Sequence, residues 1–586
     1  MIARQVVGVG IAAAVLGAIP LFIHDQYVIS VLTSVFVWAY FATCWNILGG
    51  MAGQLSFGHA VFSGTAAYMS VVLFIQYGWH PLLGGAIGVV AACLLALAIG
   101  YISARYNLVH LHFALVTTAV GQIALFLAIG FPFIGGPSGL TVPYKASAAQ
   151  LFFRNPAGYY WIFLVMTGAV LVLTLVIRHR RMGLYFLCIR ESETAASGVG
   201  IDVMRQKLLA MVISAGLTAV GGVIYAHYIR FLDPDSMLGW QVSLQMVIPA
   251  MLGGTQAIFG PAVGALIFVT LQESTRTLFD FAGAPLIIVG VVLVPVVLFL
   301  PSGVVPSLAA AWRRRRRALR RSAPSVALVG PLPSPGRVAP GAGAEILLKV
   351  EGLSRRFGGV QAVSGVTLNC RRGERLAIIG PNGAGKSTLF ALLGGFIRPD
   401  AGNIWFDGKR IDGMAATEVC RLGLARTFQT AQPFRELTVL DNILASVFLR
   451  AASRAEAMMQ AGEILTLFQL TQHRDERSAD LNIVDQKRLE LARAWATHPQ
   501  LILLDEVAAG LTGLELEQLA DSLAALNATQ GTTILFIEHM MSMVGRLADR
   551  VIVLHHGEIL AEGSLAEVSA NPVVIEAYLG EPALAA

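Results

Sequence analysis

Runs of about 20 apolar residues recur through the first half of this 586-residue chain, and no other feature limits its fold as strongly. A helix needs roughly 20 mostly apolar residues to cross a bilayer core. Such runs lie near residues 5–24, 27–48, 57–77, 82–103, 112–131, 160–177, 206–226 and 284–300. Region 241–273 is equally apolar but is interrupted by GGTQAIFGP, which predicts two shorter segments. The pattern predicts a membrane domain over residues 1–306 with about eight to ten helices. The first run carries only Arg4 on its N-terminal side and no clear small-residue cleavage site, so it reads as a retained helix rather than a signal peptide.

Composition changes abruptly beyond that half. Charged residues make up 13% of the whole chain, against about 25% in ordinary soluble domains. The deficit lies in residues 1–306, whereas 345–580 has the balance of a soluble domain. Residues 307–344 begin Arg-rich, in WRRRRRALRRS (312–322), and continue as a Pro-, Gly- and Ala-rich stretch. They read as a flexible tether, and 581–586 as a short tail. Much of the net charge of +6 sits in that Arg cluster. Directly after a membrane span, it predicts contact with anionic lipid headgroups rather than with nucleic acid. Cys44, Cys93, Cys188, Cys370 and Cys420 have no C-x-x-C spacing and read as buried free thiols.

Basic flanks orient the spans. Arg178, Arg180, Arg181, Arg190, Arg205 and Lys207 crowd one loop, and Arg313–Arg317 follow the last span, which places both inside. Loops carrying Lys145, Arg154 and Arg230 fall outside. Within the apolar half, GGMAGQLSFGHAVFSG (49–64) sets Gln54, Ser56 and His59 among glycines. A Gly-interrupted helix exposes backbone groups to a substrate in transporters, and equally lets helices pack closely. Asp233, Asp235, Glu273 and Asp280 read as loop acids. RESETAASGVGIDVMRQK (190–207) is a polar inside segment that suits a small docking helix or a plain connection.

The soluble half carries an ordered motif set. RLAII is a buried-type strand, LFALLGGF begins a helix, and GPNGAGKST (380–388) lies between them, matching G-x-x-x-x-G-K-[ST] in the required setting. Gly380, Asn382, Gly383 and Gly385 let backbone N–H groups close around phosphates, and the helix N-terminus with Thr388 in its first turn adds its dipole. Lys386 supplies charge and Ser387 a Mg²⁺ ligand. LILLDE (501–506) is a second buried strand, with Asp505 placed to hold Mg²⁺ and Glu506 to orient an attacking water. Gln429 in LARTFQT is a candidate sensor of Mg²⁺ and that water, and His539 in TILFIEH of the γ-phosphate. Phe357 in SRRFGGV is a candidate stacking partner for adenine, or a small core aromatic.

With these motifs in order, residues 345–580 resemble the ATPase subunit of branched-chain amino acid ABC importers, in GPNGAGKSTL, RTFQ, LELARAWATHPQLILLDE, AAGL and NPVVIEAYLG. Residues 30–300 resemble the permease subunit of the same importers, in WNILGGMAGQLSFGHAVF, HFALVTTA and RESETAASGVGI. The resemblance implies a multi-span helical permease fused to an α/β P-loop ABC ATPase, using ATP and Mg²⁺, in the bacterial cytoplasmic membrane with the ATPase inside. It also implies a second permease, a second ATPase and a periplasmic substrate-binding protein as partners; a homodimer of this chain is the competing assembly. Branched-chain or related hydrophobic amino acids lead as cargo. Urea, short amides and small aromatic or carboxylate compounds stay open, and an exporter half-transporter is the rival class.

The family pattern is altered at three places. Val507 stands where Pro usually follows the glutamate, and Thr512 where Asp or Asn is usual. LNIVDQKRLELARA (481–494) occupies the place of the usual Leu-Ser-Gly-Gly-Gln signature, with Asn482, Val484 and Asp485 for Ser, Gly and Gln. Asn is a good N-cap and Asp suits a first turn, so the helix start reads as kept, while Asp485 adds negative charge where a partner's phosphate is expected.

Overall fold

The computed structural model describes residues 2–106, 108, 110–143, 151–153, 155, 157–278, 284–319, 345–429 and 432–579. The chain divides into two units. One is Met1–Arg190 with Val203–Pro324; the other is Glu191–Asp202 with Ser325–Ala586. The short stretch between the helices Arg181–Glu191 and Val203–Ile229 thus groups with the soluble half, although its chain neighbours on both sides belong to the membrane half.

Seven helices among the described residues are long and apolar enough to cross a membrane: Ala3–Phe22, Gln26–Met51, Ala60–Tyr77, Pro81–Arg105, Leu111–Gly130, Ala157–His179 and Val203–Ile229. Three more apolar helices, Trp240–Gly253, Gly260–Leu278 and Ala284–Phe299, occupy the remaining expected positions. At 14 and 16 residues, the first and third are shorter than the bilayer core at 1.5 Å per residue, and the second carries Glu273 and Arg276 in its last turns. The break expected in 241–273 lies at Gly254–Phe259.

The helix Gln26–Asn46 is the centre of this unit. From Val35 onward every residue is buried, and Phe41 and Trp45 are inaccessible. The first helix, Ile2–Phe22, packs on Ala157–His179 and leaves most of its apolar surface outward. Its Pro20 has no N–H for the carbonyl of Leu16 four residues back. Tyr160 Oη donates to that oxygen at 2.6 Å, and Trp161 Nε1 to Gly17 O at 3.0 Å. A freed carbonyl inside an apolar layer is costly, so a neighbouring helix satisfies it. Leu140–Thr141 (β1) pairs antiparallel with Phe231–Leu232 (β2). Of the acids expected in loops, Asp233 caps the short helix Pro234–Leu238 with Asp235 in its first turn, whereas Glu273 lies within the helix Gly260–Leu278 and pairs with Arg276 at 3.5 Å. No disulfide joins the five cysteines among the described residues, and four of them are buried.

The Arg-rich start of the expected tether is helical, in Val304–Leu319. Ala, Leu and Arg are strong helix formers, and that propensity overrides a flexible reading. The rest of the tether, 320–344, lies outside the described residues, as do Lys145, Arg154, Asp280 and the tail 581–586.

Among the described residues the soluble half holds two sheets. Ile346–Phe357 (β3), Val360–Arg371 (β4), Ala401–Phe406 (β6) and Lys409–Arg410 (β7) form an antiparallel sheet in the order β4-β3-β6-β7. Arg375–Ile379 (β5), Leu424–Arg426 (β8), Leu501–Asp505 (β9), Thr533–Ile537 (β10), Arg550–His555 (β11) and Glu558–Gly563 (β12) form a second sheet, in the order β12-β11-β5-β10-β9-β8. Its pairs are parallel except β11–β12. β5, β9 and β10 are buried at every position, which is why they read as continuous apolar runs. Ile378 pairs with Ile537, and Ile537 with Asp505, so three strands end at one edge. Ligands of open parallel sheets bind outside that carboxyl edge.

Candidate functional site

The loop Gly380–Gly385 leaves β5 at this edge and feeds the helix Lys386–Leu393. Gly385 has φ +97° at the helix N-cap, and a Cβ there would run into the carbonyl oxygen of Ala362, so only glycine fits. Asn382, Gly383 and Ser387 are exposed, while Thr388 is half-buried in the first helical turn. Lys386 is buried, and its Nζ donates to the carbonyls of Gly380 and Pro381 at 2.8 and 2.9 Å. Burial pushes its ammonium below the usual lysine range, against the pull of the Glu506 and Asp505 carboxylates.

Glu506 follows β9 in a left-handed conformation, φ +49°, that a non-glycine residue adopts only when its surroundings hold it. Its N–H donates to Ile537 O at 3.0 Å. Its two oxygens are gripped from either side. Gln429 Nε2 donates to Oε2 at 2.8 Å, and His539 Nε2 lies 3.0 Å from Oε1. Three residues singled out from separate motifs therefore meet on one carboxylate. Asp505, next in line, is 1% exposed. Its Oδ2 accepts from Arg426 Nη2 at 3.1 Å, while its Oδ1 is buried with no hydrogen-bond partner among the described residues. Burial pushes the Asp505 carboxyl up, against the opposing charge of Arg426.

Phe357 joins none of these hydrogen bonds. It ends β3, paired with Val360, is 44% exposed, and carries the Arg355 guanidinium 4.9 Å above its ring. The helix Ile483–Trp495 begins at Asn482, whose Oδ1 accepts from Asp485 N at 2.8 Å. Asp485 is buried. Its carboxylate faces Asn482 Nδ2 at 2.9 Å, Arg488 Nη1 at 3.3 Å and His473 Nε2 at 3.5 Å. The added negative charge is therefore enclosed in its own fold. Val484 is half-buried. Thr512 caps Gly513–Gln530 in a box with Glu515, and Val507 is buried, so both departures fit local structure.

Several residues beside the site carried no motif. Glu490 accepts from Phe428 N at 2.6 Å, and burial raises its carboxyl to about 7. Arg493, one turn on, donates to Gln432 O at 2.6 Å with its guanidinium 4.2 Å from the Phe434 ring. Glu538, adjoining His539, accepts from Ala508 N at 2.8 Å and is likewise raised to about 7 by burial. Lys487 donates to the carbonyls of Val507 and Ala509. The one sequence signal for them is their place beside residues already singled out.

In the membrane half, the chain unwinds between Met51 and Ala60. Gln54, Ser56 and His59 are all buried there. His59 Nδ1 lies 2.9 Å from Ser56 Oγ and its Nε2 lies 2.8 Å from Ser214 Oγ, whose hydroxyl donates to Cys44 O at 2.8 Å. Trp45 Nε1 donates to Ser56 O at 2.7 Å, and Gln54 N to Leu48 O at 3.1 Å. The break is thus a satisfied polar knot inside an apolar layer.

Three family models match the chain. One, described as a branched-chain amino acid transport system permease component, covers residues 27–299; an ABC transporter model covers 363–509; a branched-chain amino acid ATP-binding cassette transporter model covers 558–583. The high-affinity branched-chain amino acid transport ATP-binding protein LivG of Salmonella typhimurium is 40% identical over 252 residues, which is 98% of that protein and 40% of this chain. The chain belongs to the branched-chain amino acid ABC transporter family. The corresponding protein BraF of Pseudomonas aeruginosa is 39% identical over 250 residues, again 98% of its length and 40% of this chain. A probable LivG of Methanocaldococcus jannaschii is 33% identical over 252 residues, with the same two coverages. This family member carries permease and ATP-binding cassette in one polypeptide. It is a multi-pass membrane protein whose cassette binds and hydrolyses ATP in transport, and the family works together with other transporter components.

Proposed function

We propose that this chain imports branched-chain or related hydrophobic amino acids across the bacterial cytoplasmic membrane, with its cassette on the cytoplasmic side. The observation that carries the reading is Glu506, gripped by Gln429 and His539 beside Lys386 and Asp505, in the same unit as the inter-helix segment 191–202. Gly380–Thr388 and Lys386 bind the phosphates, Phe357 meets the base, and Glu506 accepts the proton of the attacking water, with Gln429 and His539 setting its orientation. The unpartnered, buried Asp505 Oδ1 fits a hard cation, with Ser387 and Gln429 as the other oxygen donors. Mg²⁺ held there supplies charge neutralisation at the outer phosphate oxygens. A second permease, a second ATPase and a periplasmic substrate-binding protein complete the transporter, and Gln54, Ser56 and His59 mark the substrate path. Asn482 and Val484 face the partner's nucleotide, while the buried Asp485 holds the helix start that presents them.

The test is uptake of labelled leucine by proteoliposomes holding the full assembly. Wild type is expected to accumulate leucine with ATP inside and binding protein outside. Glu506→Gln is expected to keep ATP binding and lose about 100-fold or more of turnover. Undiminished turnover in that variant, or uptake that ignores leucine, overturns the reading.

A further inference from the structure

Arg426 forms a buried ion pair with Asp505 at the end of β9. Its side chain is 9% exposed and that of Asp505 is 1% exposed. Arg426 Nε and Asp505 Oδ1 both lack hydrogen-bond partners among the described residues. A buried pair with unsatisfied atoms on both members is a poor stabiliser, and packed apolar residues in its place cost less. Burial also pushes the Arg426 guanidinium below its ordinary range.

The other faces of that guanidinium meet aromatic rings. It lies 5.5 Å from the Phe396 ring centre, 5.7 Å from Phe428 and 6.0 Å from Phe390. Phe396 and Phe428 stand edge to face at 5.5 Å. These same two rings receive the segment 191–202: a Cβ added to Gly198 would touch both at 3.5 Å. At Gly200, φ +82°, a Cβ would press on Leu449, and Thr417 Oγ1 donates to Ile201 O at 3.1 Å. Covalently, that segment joins the helices Arg181–Glu191 and Val203–Ile229 of the membrane half.

We propose that Arg426 is a positioning residue through which the seating of segment 191–202 on Phe396 and Phe428 sets the Asp505 carboxylate. A shift of Gly198 moves the two rings, the rings re-aim the guanidinium, and the guanidinium carries Asp505 Oδ2 with it. This rests on the reading of Asp505 as part of the nucleotide site. The coupling is reciprocal, since linkage between two sites runs equally in both directions.

Reciprocity supplies a test free of turnover and of metal. Backbone amides of Ala195, Ala196, Val199, Gly200 and Ile201 are hydrogen-bonded within the segment or to Ser192. Their hydrogen exchange is measured on the full chain in its assembled, membrane-embedded form, without nucleotide and in EDTA. Asp505→Asn and Arg426→Gln are each expected to speed exchange of these amides about fivefold or more. The double variant is expected to do no more than either alone. Arg426→Lys, which keeps charge but not the planar stacking, is expected to speed it too. Exchange in the helix Gly513–Gln530 serves as the control for folding. If a variant disturbs that helix as well, Gly198→Leu is compared instead with wild type, both without nucleotide, where the proposal requires altered reactivity of the Asp505 carboxyl toward a carbodiimide. Unchanged exchange in Asp505→Asn, additive effects in the double variant, or unaltered carboxyl reactivity overturns the proposal. Glu506→Gln is expected to leave the exchange untouched, so a failure of the hydrolysis reading and a failure of this one give different results.

Discussion

Asn482 and Asp485 hold each other by two hydrogen bonds: Asn482 Oδ1 accepts from Asp485 N at 2.8 Å, and Asn482 Nδ2 donates to Asp485 Oδ2 at 2.9 Å. A full capping box returns the second bond to the N-cap backbone N–H. Here it closes between side chains, and the carboxylate is retained by Arg488 and His473. The variant signature is therefore a self-satisfied helix start. Asn482→Ala is expected to lower the thermal stability of the cassette by about 1 kcal/mol. Asn482→Ser is expected to preserve it and to raise the ATPase rate of the assembled transporter, because a hydroxyl takes over the cap without engaging Asp485. Thermal melts and phosphate release measure the two effects. An Asn482→Ser variant with lower turnover than wild type counts against this account.

Glu506 depends on its two neighbours for orientation. His539→Ala is expected to lower the ATPase kcat by about 10- to 100-fold with little change in nucleotide affinity, since His539 bonds Glu506 at 3.0 Å and makes no hydrogen bond to the P-loop. Gln429→Ala is expected to act in the same direction. Steady-state kinetics alongside binding of a fluorescent nucleotide separates turnover from affinity.

How much of this site was legible depended on what each residue needs around it. β5, β9 and β10 were readable because a strand buried on both faces is an apolar run, and each ends in a motif. Gln429, Glu506 and His539 were readable as motif members, although their meeting on one carboxylate is a property of strand order. Arg426 was not: its partner lies on the neighbouring strand, and the β8–β9 register of Arg426 with Leu503 has no trace in local sequence. The inward turn of Asp485 needed His473, 12 residues away in sequence, to be placed beside it. In the membrane half, apolar runs gave helix positions well. Span number was less legible, because Trp240–Gly253 and Ala284–Phe299 are apolar yet short.

Glu490 gives the cassette a pH dependence of stability. Burial raises its carboxyl from the usual 4.5 to about 7, so the folded state binds a proton that the unfolded chain has released between those values. Stability from this group is present below about pH 4.5 and is lost as pH rises toward 7. Glu490→Gln removes the penalty while keeping an oxygen for Phe428 N. The variant is expected to melt higher than wild type at pH 8, with the gap closing toward pH 5. The shift bounds the gain at roughly 3 kcal/mol. Melting curves of the detergent-solubilised chain across that range check it, and a gap that widens on acidification reverses the sign of the argument.

Tyr160 and Pro20 form a pair in which the cost of losing the Tyr160 hydroxyl depends on the proline. The Leu16 carbonyl lacks a helical donor because Pro20 has no N–H, and Tyr160 Oη fills the place at 2.6 Å. Tyr160→Phe leaves a carbonyl unsatisfied in an apolar layer and is expected to cost about 1–3 kcal/mol. Pro20→Ala restores the backbone N–H, which donates to the same oxygen. In that background Tyr160→Phe is expected to cost a fraction of its original value, so the double-mutant cycle shows a large coupling term. The readout is protease accessibility of the helix Ile2–Phe22 in liposomes together with thermal stability. Equal costs for Tyr160→Phe with and without Pro20 would mean that the hydroxyl contributes by packing alone.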